Sequence, residues 1–186
     1  VDTGVHVIMV IDQAAKLTED LAVSFSALCP DLGKGLTPKD ILPSHAGHEA
    51  TSIKLTQQLC QRLRVPKDIS SLAAKVAEFH TDVHLLFELD ASRVLEVLES
   101  LDSFRRPHRF EQFLLAGEAD FRGRPGYETA AYPEKDAFSA CYQHAAEVDI
   151  KPLLDQGLAG EQIKSAIRQH RLNAIEGVLS HYRAAP

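Results

Sequence analysis

The sequence predicts an all-α fold, and three observations carry that reading. Apolar residues recur at helical spacing through most of the 186 residues. No convincing sheet is evident, because period-two alternation is not sustained anywhere. Only 10 Gly and 9 Pro interrupt the chain, with 45% hydrophobic and 25% charged residues, which excludes collagenous, low-complexity and disordered classes. A chain of this length buries a core without disulfide or metal support.

Segment 5–17 is apolar on nearly every side, as a buried helix would be, although its opening residues also suit a buried strand. The Asp12-Gln13-Ala14-Ala15-Lys16 continuation favours helix. Thr18 is the expected N-cap of a second helix carrying Leu21, Phe25, Leu28 and Leu32, which Gly33 and Gly35 stop. A loop over 37–43 follows. From His48 a third helix is expected, with Leu55, Leu59 and Leu63 on one face and an end near Val65-Pro66. A fourth runs through Leu72, Val76 and His80. A fifth opens at Asp90 and carries Val94, Leu95, Val97, Leu98 and Leu101, a core-facing stripe. The sixth starts at Pro107 with Phe110, Phe113, Leu114 and Phe121 inward, and the Arg-Gly-Arg-Pro-Gly stretch 122–126 breaks it. A seventh occupies 134–148. The last, from Gly160 to about Tyr182, places Ile163, Ile167, Ala174 and Val178 together. Stretch 122–133 is the best hinge, setting off the final helices.

The formal net charge of −6 argues against gripping nucleic acid by bulk electrostatics. Cys29, Cys60 and Cys141 form no C-x-x-C pair, so neither zinc ribbon nor disulfide framework is indicated, and a reducing cytoplasm suits them. No apolar run of about 18 residues would span a bilayer. The chain starts at Val1 with its only methionine at position 9, which suggests a piece of a longer protein.

Polar side chains stand where apolar ones are expected. His80 shares the Leu72/Val76 stripe, Asp120 follows Phe113 at heptad spacing, and His48 heads the Leu55/Leu59 stripe. Buried acids are costly unless paired or bound to a cation. His6 and Asp31 join this set. A mixed His/Asp shell suits Zn, Mn, Fe, Co or Ni and supports water activation. His45 and His48 present two imidazoles to one side, or else act as helix-start histidines bonded to backbone. The Gly33-Lys34-Gly35 element is not a P-loop, because Leu28 replaces the first glycine and no Ser or Thr follows Lys34. Lys34 either faces a phosphate or is a solvated lysine in a turn. Arg105, Arg106, Arg109, Arg122 and Arg124 either hold RNA phosphates or form a solvated helix end. His84, His108, His144, His170 and His181 read as surface or packing histidines.

Taken in order, VDTGVH at 1–6, LCPDLGKG at 28–35, LPSHAGHE at 42–49, the His80 region, RRPHRFEQ at 105–112 and GEADFRGRPGYE at 117–128 resemble one family. It is the C-terminal half of the bacterial CCA-adding tRNA nucleotidyltransferases that carry an HD phosphohydrolase domain. The resemblance implies an HD-type helical bundle over 1–132 and a small C-terminal helical extension over 133–186 packed on it. It implies 2′,3′-cyclic phosphodiesterase, 2′-nucleotidase and phosphatase activity with a divalent metal (Ni, Mn, Co or Mg), serving tRNA 3′-end repair. By position, His6, Asp31 and Asp120 match metal ligands, with His48 and His80 completing a second metal position or contacting phosphate. Asp31 and Lys34 match the catalytic element, with Lys34 beside the substrate phosphate; the nearby Arg122 and Arg124 are expected to offset the phosphate charge with it. Expected partners are the tRNA 3′ end or a nucleoside phosphate, the polymerase half of the same protein and a second copy of the chain, with no membrane.

Two departures matter. The family has histidine directly before Asp31, and this chain has Pro30. Proline offers no lone-pair nitrogen to a metal, so a weakened or absent metal is expected. No Asp-x-Asp pair occurs, so the two-metal nucleotidyltransferase site is expected elsewhere. Two readings follow: a metal-dependent phosphohydrolase, or a degenerate HD module for docking, dimerisation or tRNA placement.

Overall fold

Aspartates and prolines fix where the helices begin. The computed structural model describes residues 2–40 and 42–184; Val1, Ile41 within the expected 37–43 loop, Ala185 and Pro186 lie outside the described residues. Among them run α1 (Thr3–Leu17), α2 (Leu21–Ala27), α3 (His48–Leu63), α4 (Lys67–His84), α5 (Ala91–Ser100), α6 (Pro107–Arg122), α7 (Pro133–Ala146), α8 (Lys151–Asp155) and α9 (Gly160–Ala184). Short 3-10 turns occupy Leu32–Leu36 and Leu86–Glu88, and no strand occurs among the described residues. The all-α expectation is met.

Carboxylates of Asp2, Asp20 and Asp90 accept amide hydrogens at the starts of α1, α2 and α5. Pro107 and Pro133 open α6 and α7, where a missing N–H leaves no bond unmade. Asp20, not Thr18, is the cap of α2. Thr18 ends α1, and its hydroxyl accepts the Asp20 amide at 3.1 Å. Asp20 also accepts from Gln112 Nε2 at 2.7 Å, tying α2 to α6.

Three other sequence expectations shift. α2 stops at Ala27 rather than at Gly33, because Pro30 has no amide to continue the ladder and crowds the preceding turn. The buried face of α3 is Ser52, Thr56 and Cys60, whereas Leu63 is exposed and Leu55 and Leu59 are half-buried. The 3-10 turn packs on α3 so closely that only small side chains fit beneath it. In α9 the buried residues are Ile175, Val178 and Leu179, while Ile163, Ile167 and Ala174 are half-buried. α8 and the 86–88 turn are too short to leave a periodic signal.

The fifth-helix stripe is buried as expected: Val94, Leu95, Val97, Leu98 and Leu101 are sealed from solvent. They belong to one main core with Val10, Phe79, Phe110, Phe113, Phe138 and Leu179, so it crosses the expected 132/133 boundary. A second, smaller cluster of Cys29, Ala73 and Ala77, flanked by Phe25, Leu28, Leu32 and Ile53, lies at the Asp31 turn. The three cysteines are free and buried. No helix among the described residues is long and apolar enough to cross a membrane.

Candidate functional site

Five segments meet at a cleft of about 650 Å³. α1 contributes Thr3 and His6, the turn after α2 contributes Asp31 and Lys34, and the start of α3 with the turn before it contributes His48 and His45. α4 adds His80, Thr81 and His84, and the end of α6 adds Asp120 with Arg124 and Pro125 beyond it.

His6 is positioned by a close approach of α1 to the end of α6. A Cβ on Gly123 would lie 2.5 Å from Val10 Cγ2 and 2.9 Å from Val10 N, so only glycine lets the backbones come together. The Gly123 carbonyl accepts from His6 Nδ1 at 3.2 Å, and Nε2 donates to Asp120 Oδ1 at 3.0 Å. Asp31 Oδ2 lies 3.6 Å from the same Nε2. An oxygen at each nitrogen favours the imidazolium form: the Asp120 hydrogen bond raises the pKa against the desolvation that would lower it.

Asp31 sits in a turn pinned by Ser52. The Ser52 hydroxyl donates to the Pro30 carbonyl at 2.5 Å and accepts the Gly33 amide at 2.8 Å. A Cβ on Gly33 would fall inside contact distance of the His48 carbonyl and 2.8 Å from Ser52 N, so this position also requires glycine. Because of the 3.6-residue period, the small buried face that receives the turn, Ser52, Thr56 and Cys60, is headed by His48. Burial raises the Asp31 pKa, but His48 and Lys34 outweigh it and hold the carboxylate below its usual value. Lys34 Nζ stands 2.8 Å from Asp31 Oδ1 and lines the cleft.

His48 Nδ1 is 3.0 Å from the His45 carbonyl, to which it donates, so the helix-start alternative for this pair also holds. Its Nε2 lies 3.6 Å from Asp31 Oδ1, and the carboxylate raises the imidazole's pKa over the opposing effect of burial. His80 is buried, and desolvation lowers its pKa, keeping the ring neutral. Burial also disfavours an ionised Asp120, yet hydrogen bonds from His6 and His84 hold it well below the usual carboxylate range.

These residues fit a divalent cation. Ligand atoms of His6, Asp31 and Asp120 lie within 4.8 Å of one another, as do those of Asp31, His48 and His80, with Asp31 common to both sets. His48 Nε2 and His80 Nδ1 are buried without a hydrogen-bond partner, and Asp31 Oδ1 has the Lys34 ammonium beside it but no aligned hydrogen bond. An unpartnered buried polar atom costs about 1–3 kcal/mol. A cation offers all three atoms a partner, and a shell of imidazole and carboxylate suits first-row divalent metals.

The structure thus brings His6, Asp31, Lys34, His48, His80, Asp120 and Arg124 to one cleft. Arg122 is a correction. It lies two residues, about 200° of helix, from Asp120, and its guanidinium pairs with Glu118 at 2.8 Å, outside the residues that line the cleft. Arg105 and Arg106 are exposed beside Asp102, and Arg109 donates to Ser71. His84 corrects the sequence reading in the other direction, since it lines the cleft and bonds Asp120 Oδ2 at 2.7 Å. Its spacing of four from His80 on one helix was the available signal. Ser52 and Tyr132 left none.

Over 176 residues, 95% of its length, the chain is 48% identical to the multifunctional CCA protein of Thioalkalivibrio sulfidiphilus. It is 47% and 43% identical over the same span to the multifunctional CCA proteins of Nitrosococcus oceani and Pseudomonas syringae pv. syringae. The chain is a homologue of one part of the multifunctional CCA proteins. It spans 43% of the length of each of these relatives. No family model matches it, and no solved structure does.

Proposed function

We propose that the chain is a metal-dependent phosphohydrolase that acts on the 3′ end of tRNA, or on a nucleoside 2′-phosphate or 2′,3′-cyclic phosphate. In this reading it works beside the polymerase half of a longer CCA-adding protein, and in a cytoplasmic setting. The tRNA context rests on the relatives being multifunctional CCA proteins. The hydrolytic reading rests on one observation above all. Imidazoles and carboxylates from five separate segments converge, and three of their buried atoms stand without hydrogen bonds.

His6, Asp31 and Asp120 would hold a divalent cation, Ni, Mn, Co or Mg, and Asp31, His48 and His80 would hold a second or support the first. A bound cation supplies Lewis-acid polarisation of the phosphoryl group and a lowered pKa for water. The chain's own residues do the rest. Lys34 and Arg124, at the two ends of the cleft's acidic pair, offset phosphate charge as it builds. The Gly123 carbonyl fixes the hydrogen on His6 Nδ1, so Nε2 is the nitrogen left to ligate. The proton between Nε2 and Asp120 has to leave first.

Pro30 favours a second reading, a non-catalytic HD module that docks on the polymerase half or a second copy through its C-terminal helices. The test is to titrate the purified chain with Ni, Mn, Co and Mg while assaying a nucleoside 2′,3′-cyclic phosphate. Turnover with at least one metal is expected. No turnover with any of the four overturns the hydrolase reading and leaves the docking module.

A further inference from the structure

Tyr132 is buried and held at both ends of its side chain. Its ring stacks on Phe121 of α6, with centroids 4.3 Å apart and planes inclined by 10°, and its hydroxyl lies 2.7 Å from Nδ1 of His84. Nε2 of His84 lies 2.7 Å from Oδ2 of Asp120. A phenol at the start of α7, an imidazole in the last turn of α4 and a carboxylate on α6 therefore stand in series.

The direction of the series follows from the donors available. An ionised carboxylate can only accept, so the hydrogen of a neutral His84 belongs on Nε2, and Nδ1 is left as an acceptor. The phenol is the group placed to donate to it. Burial pushes the Tyr132 pKa up, so that hydrogen stays in place. Asp120 Oδ1 is at the same time the atom that meets His6 Nε2.

We propose that Tyr132 and His84 are positioning residues for the cation site: the Tyr132 hydroxyl holds His84 Nδ1 and so fixes the orientation of the ring, and the Nε2 hydrogen anchors Asp120 Oδ2 so that Oδ1 stays turned toward His6. Asp120 is thereby held in one rotamer before any ligand arrives. Without the phenolic donor, Nδ1 loses its partner and the ring is held at one end only, so that Asp120 Oδ2 is anchored to a less fixed donor. Because Tyr132 opens α7, and α7 packs on α9, the series also ties the cation site to the seating of the C-terminal helices. The inference rests on the metal reading of the cleft and adds to it how one of its ligands is oriented.

The test uses the whole chain with Tyr132→Phe, which keeps the stacked ring, and with His84→Gln. Nickel affinity is measured by calorimetry at fixed pH, thermal stability without metal, and the His84 tautomer by ¹⁵N NMR. The wild type is expected to show the Nε2–H tautomer with a hydrogen-bonded Nδ1, and Tyr132→Phe to keep that tautomer while the Nδ1 shift moves to that of an acceptor without its donor. Nickel binding should weaken about tenfold in Tyr132→Phe, the scale seen for partners of metal ligands, with little change in Tm. Adding Tyr132→Phe to His84→Gln should weaken it no further. A wild type that fails to bind nickel overturns the metal reading and this inference with it. Nickel affinity unchanged by Tyr132→Phe in a wild type that does bind, or a fall in Tm alone, overturns the positioning role and leaves the metal reading standing. Fully additive losses in the double variant overturn the serial arrangement.

Discussion

The Ser52 hydroxyl donates to the Pro30 carbonyl at 2.5 Å while accepting the Gly33 amide at 2.8 Å. One side chain of α3 thus closes both ends of the turn that presents Asp31. Its removal in Ser52→Ala would leave a buried carbonyl and a buried amide unpaired, for a loss of about 2 kcal/mol, read as a fall of roughly 4–8 °C in Tm. Metal affinity should fall with it, because the turn sets where Asp31 points. An unchanged Tm would mean that the turn holds itself.

Gly123→Ala tests the contact that delivers His6. The added methyl would meet the Val10 backbone nitrogen at 2.9 Å, and backbone yields less readily than a flexible side chain. A destabilisation of about 1–3 kcal/mol is expected, together with loss of the Gly123 carbonyl bond to His6. Chemical denaturation measures the first, and the ring ¹⁵N shifts of His6 measure the second. Wild-type values for both would show that α1 and α6 can part without cost.

Pro30→His restores an imidazole beside Asp31. If the cleft is a metal site lacking one nitrogen ligand, affinity for Ni or Mn should rise by about tenfold or more. Hydrolysis of a cyclic nucleotide should rise with it. Calorimetry on the two proteins decides the matter, and equal affinities would favour the docking module.

The His6–Asp120 pair gives the metal-free protein a defined pH dependence. Asp120 is depressed in the fold, so its contribution is complete above the unfolded carboxylate value of about 3.9 and is lost as pH falls through its lower folded value. His6 is raised, so its contribution is complete below about 6.5 and is lost as pH rises through its higher folded value. The pair therefore stabilises most between about pH 4 and 6.5. Tm curves of wild type and His6→Gln in a chelator should converge on the alkaline side of that window. Added metal should act in the opposite sense, raising Tm more as pH rises, because His6 must lose a proton to ligate. A wild-type advantage that persists undiminished to high pH would contradict the imidazolium.

Helix periodicity made most of the fold legible. The Val94/Leu95/Val97/Leu98/Leu101 stripe and Phe110 and Phe113 of α6 are buried where their spacing puts them, since each helix must hide one apolar face whatever it packs against. The polar residues set in those stripes, His80 and Asp120, were readable for the same reason: a charge or imidazole on a core face needs a partner. Periodicity misled in α3, where the leucines stay partly open and Ser52, Thr56 and Cys60 go inside. That choice was made by the close approach of the Gly33 turn, a constraint from a segment 19 residues away.

By itself the sequence determined where most of the helices would run and, for α5 and most of α6, which face would be apolar, because those are properties of spacing along one chain. Only the tertiary structure decided that Arg124 lines the cleft, and that His84 and Tyr132 stand behind Asp120. Such choices depend on distances between helices, and these are set by how close two backbones can come, as at Gly33 and Gly123, rather than by any pattern within one of them.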